Sequence, residues 1–187
     1  MSTEQQYFEN AKPLTQYMDD MTTKKEDSFS IYHKFDVPAD DEFIGVLKEK
    51  APHILVITED WCGDAMMNNA IVRKIAEAAD LEIRAVYRDE NLELIDQYLT
   101  NGGRSIPVYL LLNKDGEVIS KWGPRAEVVQ QFVMDGRAKF PAKEDPSFEE
   151  IQKEFYAQMT NEFVSNQEFH LAVYEDIRNT WLQALQK

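Results

Sequence analysis

The chain has 187 residues, enough for one sizeable core with extensions and too short for two full domains. Its formal net charge of -14 repels phosphate backbones and anionic lipid, which excludes nucleic acid and membrane as natural partners and reads as a solubility device. A single cysteine rules out an intramolecular disulfide and a cysteine-cluster metal site. With no membrane-length apolar run and no secretory pattern at residues 1–7, the expected compartment is the cytoplasm.

Tyr7, Phe8, Ala11, Leu14, Tyr17, Met18 and Met21 predict an amphipathic helix over 4–21, with Pro13 as the point where it can break. Residues 22–28 are polar and predict a loop, and 29–35 alternate as a strand or extended lead-in would. Asp40 is placed to cap a helix through Phe43, Ile44, Val46 and Leu47 to Lys50, which Pro52 ends. Residues 53–58 form a continuous β-branched run that suits a strand buried on both faces. A helix is predicted over 65–79, with Met67, Ile71, Ile75 and Ala78 toward the core, followed by a strand over 81–87. A short helix over 92–99 stops at Asn101-Gly102-Gly103. Residues 108–112 and 117–122 are the arms of a hairpin turning at Lys114-Asp115-Gly116. Pro124 is positioned to open a helix through Val128, Val129, Phe132 and Val133 that ends near Gly136.

A Pro-containing linker follows at 140–145, and Ser147 with Glu149 and Glu150 marks a helix start. Apolar helical spacing then runs from Phe148 to Leu185, with a division expected near Ser165-Asn166. So aromatic a terminal segment needs a surface to cover, on its own domain or on a second copy, and a homodimer through the C-terminal helices is one solution. From 39 to 136 the element order is α-β-α-β-α-β-β-α, an α/β class with a mixed central sheet flanked by helices. The expected organisation is an N-terminal helical extension over 1–28, a central domain over 29–138 and a C-terminal helical extension over 139–187.

The chemistry concentrates in Thr58-Glu59-Asp60-Trp61-Cys62-Gly63-Asp64-Ala65, where a buried strand gives way to a helix with Cys62 at its start. Unpaired N–H groups and positive partial charge at a helix N-terminus stabilise a thiolate, the reactive form of cysteine. Trp61-Cys62-Gly63 at a strand-to-helix turn resembles the thioredoxin active-site motif, and Ser105-Ile106-Pro107, opening the next core strand, is similar to the segment that faces the cysteine in that family. With the element order, the resemblance covers 29–136. It implies a thioredoxin-like fold, a cis Ile106–Pro107 bond and an Ile106 backbone able to pair with a bound peptide or thiol. By the same resemblance Cys62 is the catalytic candidate, and Trp61, Gly63, Asp64, Ser105, Ile106 and Pro107 are the substrate-binding candidates.

The departures from the family pattern are chemical. The resolving cysteine is replaced by Ala65, the buried aspartate six residues before the first cysteine by Val56, and the usual proline after Gly63 by Asp64. Glu59, Asp60 and Asp64 bring negative charge that raises a thiol pKa, and Arg104 is the cation expected to offset it. Monothiol exchange at Cys62 with a protein or a low-molecular-weight thiol follows as one reading, and a non-catalytic peptide- or protein-binding module as the other. Each residue also has a plainer role: an inert buried thiol for Cys62, packing for Trp61, a helix cap for Asp64, a fold-specifying turn for Pro107. His33, His53 and His170 are scattered and Met66-Met67 suits helix packing, so neither a metal nor another cofactor is expected.

Overall fold

The computed structural model describes residues 3–50 and 52–187. Met1 and Ser2, within the segment where no secretory pattern is expected, lie outside the described residues, as does Ala51. The elements are α1 (Glu4–Asn10), β1 (Lys12–Pro13), α2 (Leu14–Asp19), α3 (Lys25–Lys34), α4 (Asp41–Lys50), β2 (His53–Thr58), α5 (Gly63–Ala79), β3 (Ile83–Tyr87), a 3-10 turn at Arg88–Glu90, α6 (Leu92–Ile95), β4 (Val108–Leu112), β5 (Val118–Trp122), α7 (Glu127–Arg137), α8 (Phe148–Ser165) and α9 (Gln167–Leu185). The sheet order is β1-β3-β2-β4-β5. Central β2 runs parallel to β3, with Val56 opposite Ala85, and antiparallel to β4, with Val56 opposite Tyr109.

The continuous apolar run of β2 has its cause in the layers on either side. Ile54 and Val56 point into the core shared with α5, whereas Leu55 and Ile57 point into a second cluster with Phe8, Leu94, Ile95 and Ile106. Strand side chains alternate between faces, and here both faces are covered, so every position is apolar. The sequence-based boundaries of β2 and β4 hold for the same reason.

Four local expectations are corrected. The 4–21 helix is interrupted by a strand: Pro13 has no N–H for a helix, and the residue before a proline is pushed toward extended backbone, so Lys12–Pro13 pair antiparallel with β3. The segment 29–34 is not a strand but the larger part of α3, which Phe35 ends, and the polar residues 25–28, where a loop is expected, are its first turn. Its buried side is Ser28, Ile31 and Phe35, a helical stripe, and the Ser28 hydroxyl donates to the Met66 carbonyl of α5 at 2.8 Å. Pro124 does not open α7, which starts at Glu127 after an extended Ala126; the Gly123–Pro124 bond is cis, as is Ile106–Pro107. At α8, Ser147 makes no cap bond, its hydroxyl donating to Asp145 at 2.6 Å instead.

The division at Ser165-Asn166 holds. The Asn166 side chain caps α9 by accepting from the backbone of Glu168 and Phe169. Phe169, Val173, Ile177, Trp181 and Leu185 of α9 are buried in the main core of the same chain. Each such side chain contributes about 1.5–3 kcal/mol on burial. Polar ties add to this: the Trp122 indole N–H donates to Asp176 at 2.7 Å, Tyr174 donates to Asp40 at 3.1 Å, and Arg178 pairs with Asp40 and Glu42. The apolar stripe of the terminal helix thus finds its surface within the molecule. Among the described residues no helix is long and apolar enough to cross a membrane.

Candidate active site

Cys62 stands between β2 and α5 as the residue preceding the first helical turn, with extended backbone. Its carbonyl accepts the first intrahelical bond, from Met66 at 2.9 Å, and its N–H donates to Glu59 at 3.3 Å. The turn leading to it is fastened at two points. Asp60 accepts from the Thr22 N–H and hydroxyl at 2.9 and 3.0 Å, and buried Glu59 accepts from the Asp89 N–H at 3.1 Å. Burial pushes the Glu59 carboxyl above its ordinary range. Trp61 is 48% exposed, and the Arg88 guanidinium stacks on it, 5.1 Å from the ring centroid.

The Ser105-Ile106-Pro107 segment lies on the other side of the sulfur. The Cys62 thiol donates to the Ile106 carbonyl at 3.6 Å. Ser105 leads into this segment from Arg104, whose carbonyl accepts from Arg88 at 3.0 Å. Behind Pro107 passes Gly123, with φ of +118; a Cβ there would meet the Pro107 carbonyl oxygen at 2.2 Å. Only glycine satisfies both that backbone and that approach.

Asp64 does not cap the helix. Arg125 holds its carboxylate in a two-pronged bond, Nε to Oδ1 at 2.8 Å and Nη2 to Oδ2 at 2.9 Å, and is itself oriented by Gln130 at 2.9 Å. Their side chains are only 9% and 13% exposed. Arg104, the cation expected to balance the site, is instead engaged with Asp96 at 2.7 and 3.0 Å. Burial lifts the Asp64 carboxyl, and the Arg125 pairing opposes it.

The thiol itself is pushed up to about 11, first by burial and then by Asp64. The N–H groups of Ala65 and Asp64, and Arg125, act against this rise without overcoming it. Val56 and Ala65, buried and apolar, leave neither a second thiol nor a carboxylate in the two positions where a dithiol site would need them.

Beneath the site runs a buried polar chain. Tyr109 of β4 donates to Asn69 Oδ1 at 2.6 Å, the Asn69 amide donates to the Thr58 hydroxyl at 3.1 Å, and Tyr17 of α2 meets that hydroxyl at 3.3 Å. Asn68, next to it, donates to the Pro124 carbonyl at 2.8 Å. Residues 58, 68 and 69 thereby tie both ends of the cysteine turn to β4, α2 and the loop before α7. Among the described residues no group of three or more His, Cys, Asp or Glu could hold a metal. Met66 and Met67 are buried core residues.

The structure therefore gathers Cys62, Gly63, Asp64, Ile106 and Pro107, with Trp61 exposed at the rim. Sequence reasoning missed Arg125, Gly123, Asn68 and Asn69. The sole hint of Arg125 was an acid in the first turn of an apolar helix, which needs a cation from somewhere. The family model described as Thioredoxin matches residues 11–141. No curated protein matches the chain. Among solved structures, a protein of unknown function from Pseudomonas aeruginosa is 15% identical with a TM-score of 0.62, over 90% of this chain and 98% of its own. An HIV epitope scaffold is also 15% identical with a TM-score of 0.59, over 93% of this chain and 98% of its own. At that identity both likenesses concern the fold alone.

Proposed function

The chain belongs to the thioredoxin family, and we propose that within it this protein performs thiol–disulfide exchange through Cys62 alone, with a protein or low-molecular-weight thiol as partner. The observation that carries this reading is the seat of the sulfur: at the N-terminus of α5 and 3.6 Å from the Ile106 carbonyl. Cys62 first loses its proton to solvent. The thiolate attacks one sulfur of a disulfide RS–SR′, forming Cys62–S–SR and releasing R′S⁻, which takes up a proton. An external thiol then attacks the mixed disulfide, freeing Cys62 and yielding a new disulfide. With Ala65 in place of a resolving cysteine, this second thiol has to come from outside the chain.

The environment sets the pace. With the thiol pushed up to about 11, about one molecule in 10⁴ is thiolate at pH 7, against about 3% for a free cysteine near 8.5. Greater nucleophilicity of the more basic thiolate recovers part of that loss. The same basicity makes Cys62 a poor leaving group, so a mixed disulfide, once formed, persists. Cys62 adducts with oxidised glutathione, followed by intact mass, should therefore form slowly at pH 7 and about tenfold faster per pH unit up to pH 9, and be absent in Cys62→Ser. An unfolded chain that reacts beside a folded chain that stays unmodified at pH 9 overturns the reading.

The raised thiol supports a second reading, a thioredoxin-fold module that binds an extended peptide along the Ile106–Pro107 segment with Cys62 as a contact residue. Unmodified Cys62 in the folded chain at pH 9 is the outcome that favours it.

A further inference from the structure

The cysteine turn contains a feature that thiol exchange by itself does not require: a buried, bidentate ion pair whose acid is two residues from the nucleophile. Asp64 and Cys62 lie at the same end of α5. That end supplies about half a positive charge, and Arg125 one more. Two anions, the Asp64 carboxylate and a Cys62 thiolate, would exceed this supply. Arg125 is committed to Asp64 by two bonds of 2.8 and 2.9 Å, and Gln130 holds it there. The loop carrying Arg125 is fixed as well, by Gly123 against Pro107 and by Asn68 bonded to the Pro124 carbonyl.

We propose that Asp64 and Arg125 are positioning residues that hold Cys62 in a slow, protonated resting state, Asp64 keeping the Arg125 guanidinium bonded to itself at the head of α5. The proposal rests on the exchange reading above. The other charged groups facing the turn have partners of their own. Glu59 is bonded to the Asp89 N–H, Asp60 to Thr22, Arg88 to Asp89 and the Arg104 carbonyl, and Arg104 to Asp96. On the β4 side the neighbour is the Tyr109 hydroxyl, committed to Asn69, and Arg137 of α7 acts on Asp64 from farther off. Among these groups, the ion pair is where one substitution releases a cation toward Cys62 without dismantling the turn.

The test is the pH profile of Cys62 alkylation by iodoacetamide in the folded full-length chain, for wild type, Asp64→Asn, Asp64→Glu and Asp64→Asn/Arg125→Gln. Asp64→Asn should lower the midpoint by at least one pH unit and raise the rate at pH 7.5 at least tenfold. Asp64→Glu should keep the wild-type profile, and the double variant should lose the gain because Arg125 is its source. If Asp64→Asn does not fold, as judged by circular dichroism, Asp64→Ser is read by the same criteria, its smaller side chain leaving room for water beside Arg125. An unchanged midpoint in the single variant, or a gain retained in the double, overturns the proposal. Failure of the exchange reading looks different: the midpoint moves as stated, yet neither wild type nor variant forms an adduct with oxidised glutathione.

Discussion

Replacing Tyr109 with Phe removes one hydroxyl from the fully buried chain Tyr109–Asn69–Thr58–Tyr17 and leaves the ring in place. The ring keeps its apolar contacts, so little transfer free energy changes. What remains is Asn69 Oδ1, buried and deprived of the donor that sat 2.6 Å away. Stranding a buried acceptor costs about 1–3 kcal/mol, and about 2 kcal/mol is expected here. For a chain of this size that shifts the melting temperature by about 4–8 °C. Asn69→Leu, alone and combined with Tyr109→Phe, completes a double-mutant cycle. Once both partners are apolar nothing is stranded, so the double variant should cost clearly less than the sum of the singles, a coupling of about 1–2 kcal/mol. Urea denaturation with linear extrapolation measures all four chains. A loss below about 0.5 kcal/mol for Tyr109→Phe, or singles that simply add, would refute the claim that this bond organises the floor of the site.

Two further outcomes follow from the architecture. Gly123→Ala places a methyl carbon within 2.2 Å of the Pro107 carbonyl at a φ of +118. It should lower stability by about 1–3 kcal/mol and change the Cys62 alkylation rate as the Pro107 segment moves; an unaltered melting temperature would count against this packing. Deleting 167–187 strips Phe169, Val173, Ile177, Trp181 and Leu185 from the core. The truncated chain should therefore show no cooperative urea transition, whereas a chain that stays folded and merely halves its mass would point to a dimer helix.

How far the sequence could be read depended on whether the deciding partner was local. The run 53–58 and its counterpart 108–112 carry their own instructions, since both faces of each strand are covered and each strand is bounded by turn residues. Residues 29–35 mislead because Phe29, Ile31 and Phe35 fit a period of two as well as they fit a helical stripe, and a window so short cannot separate them. What decides is Ser28, a polar residue whose hydroxyl finds the Met66 carbonyl of a helix distant in sequence. The site divides the same way. The cysteine at the head of a helix and the Ile-Pro segment are visible as short motifs. The arginine bonded to Asp64 is not, because nothing near residue 125 announces residue 64, and Arg104, closer in sequence to the Ile-Pro segment, is held by Asp96. A local reading also assigns Asp64 to capping, since acids are favoured at helix starts; burial beside Arg125 overrides that preference.

The outermost strand on the β3 side, Lys12–Pro13, has a consequence for how the molecule behaves among its own copies. A sheet edge is a template on which another chain can grow, and proteins blunt such edges with brevity, lysine and proline. This edge has all three: it is two residues long, one of them charged and the other without an N–H to offer an incoming strand. By pairing with Arg84 and Ala85, the N-terminal segment caps the middle of a β3 edge that would otherwise lie bare to an incoming strand.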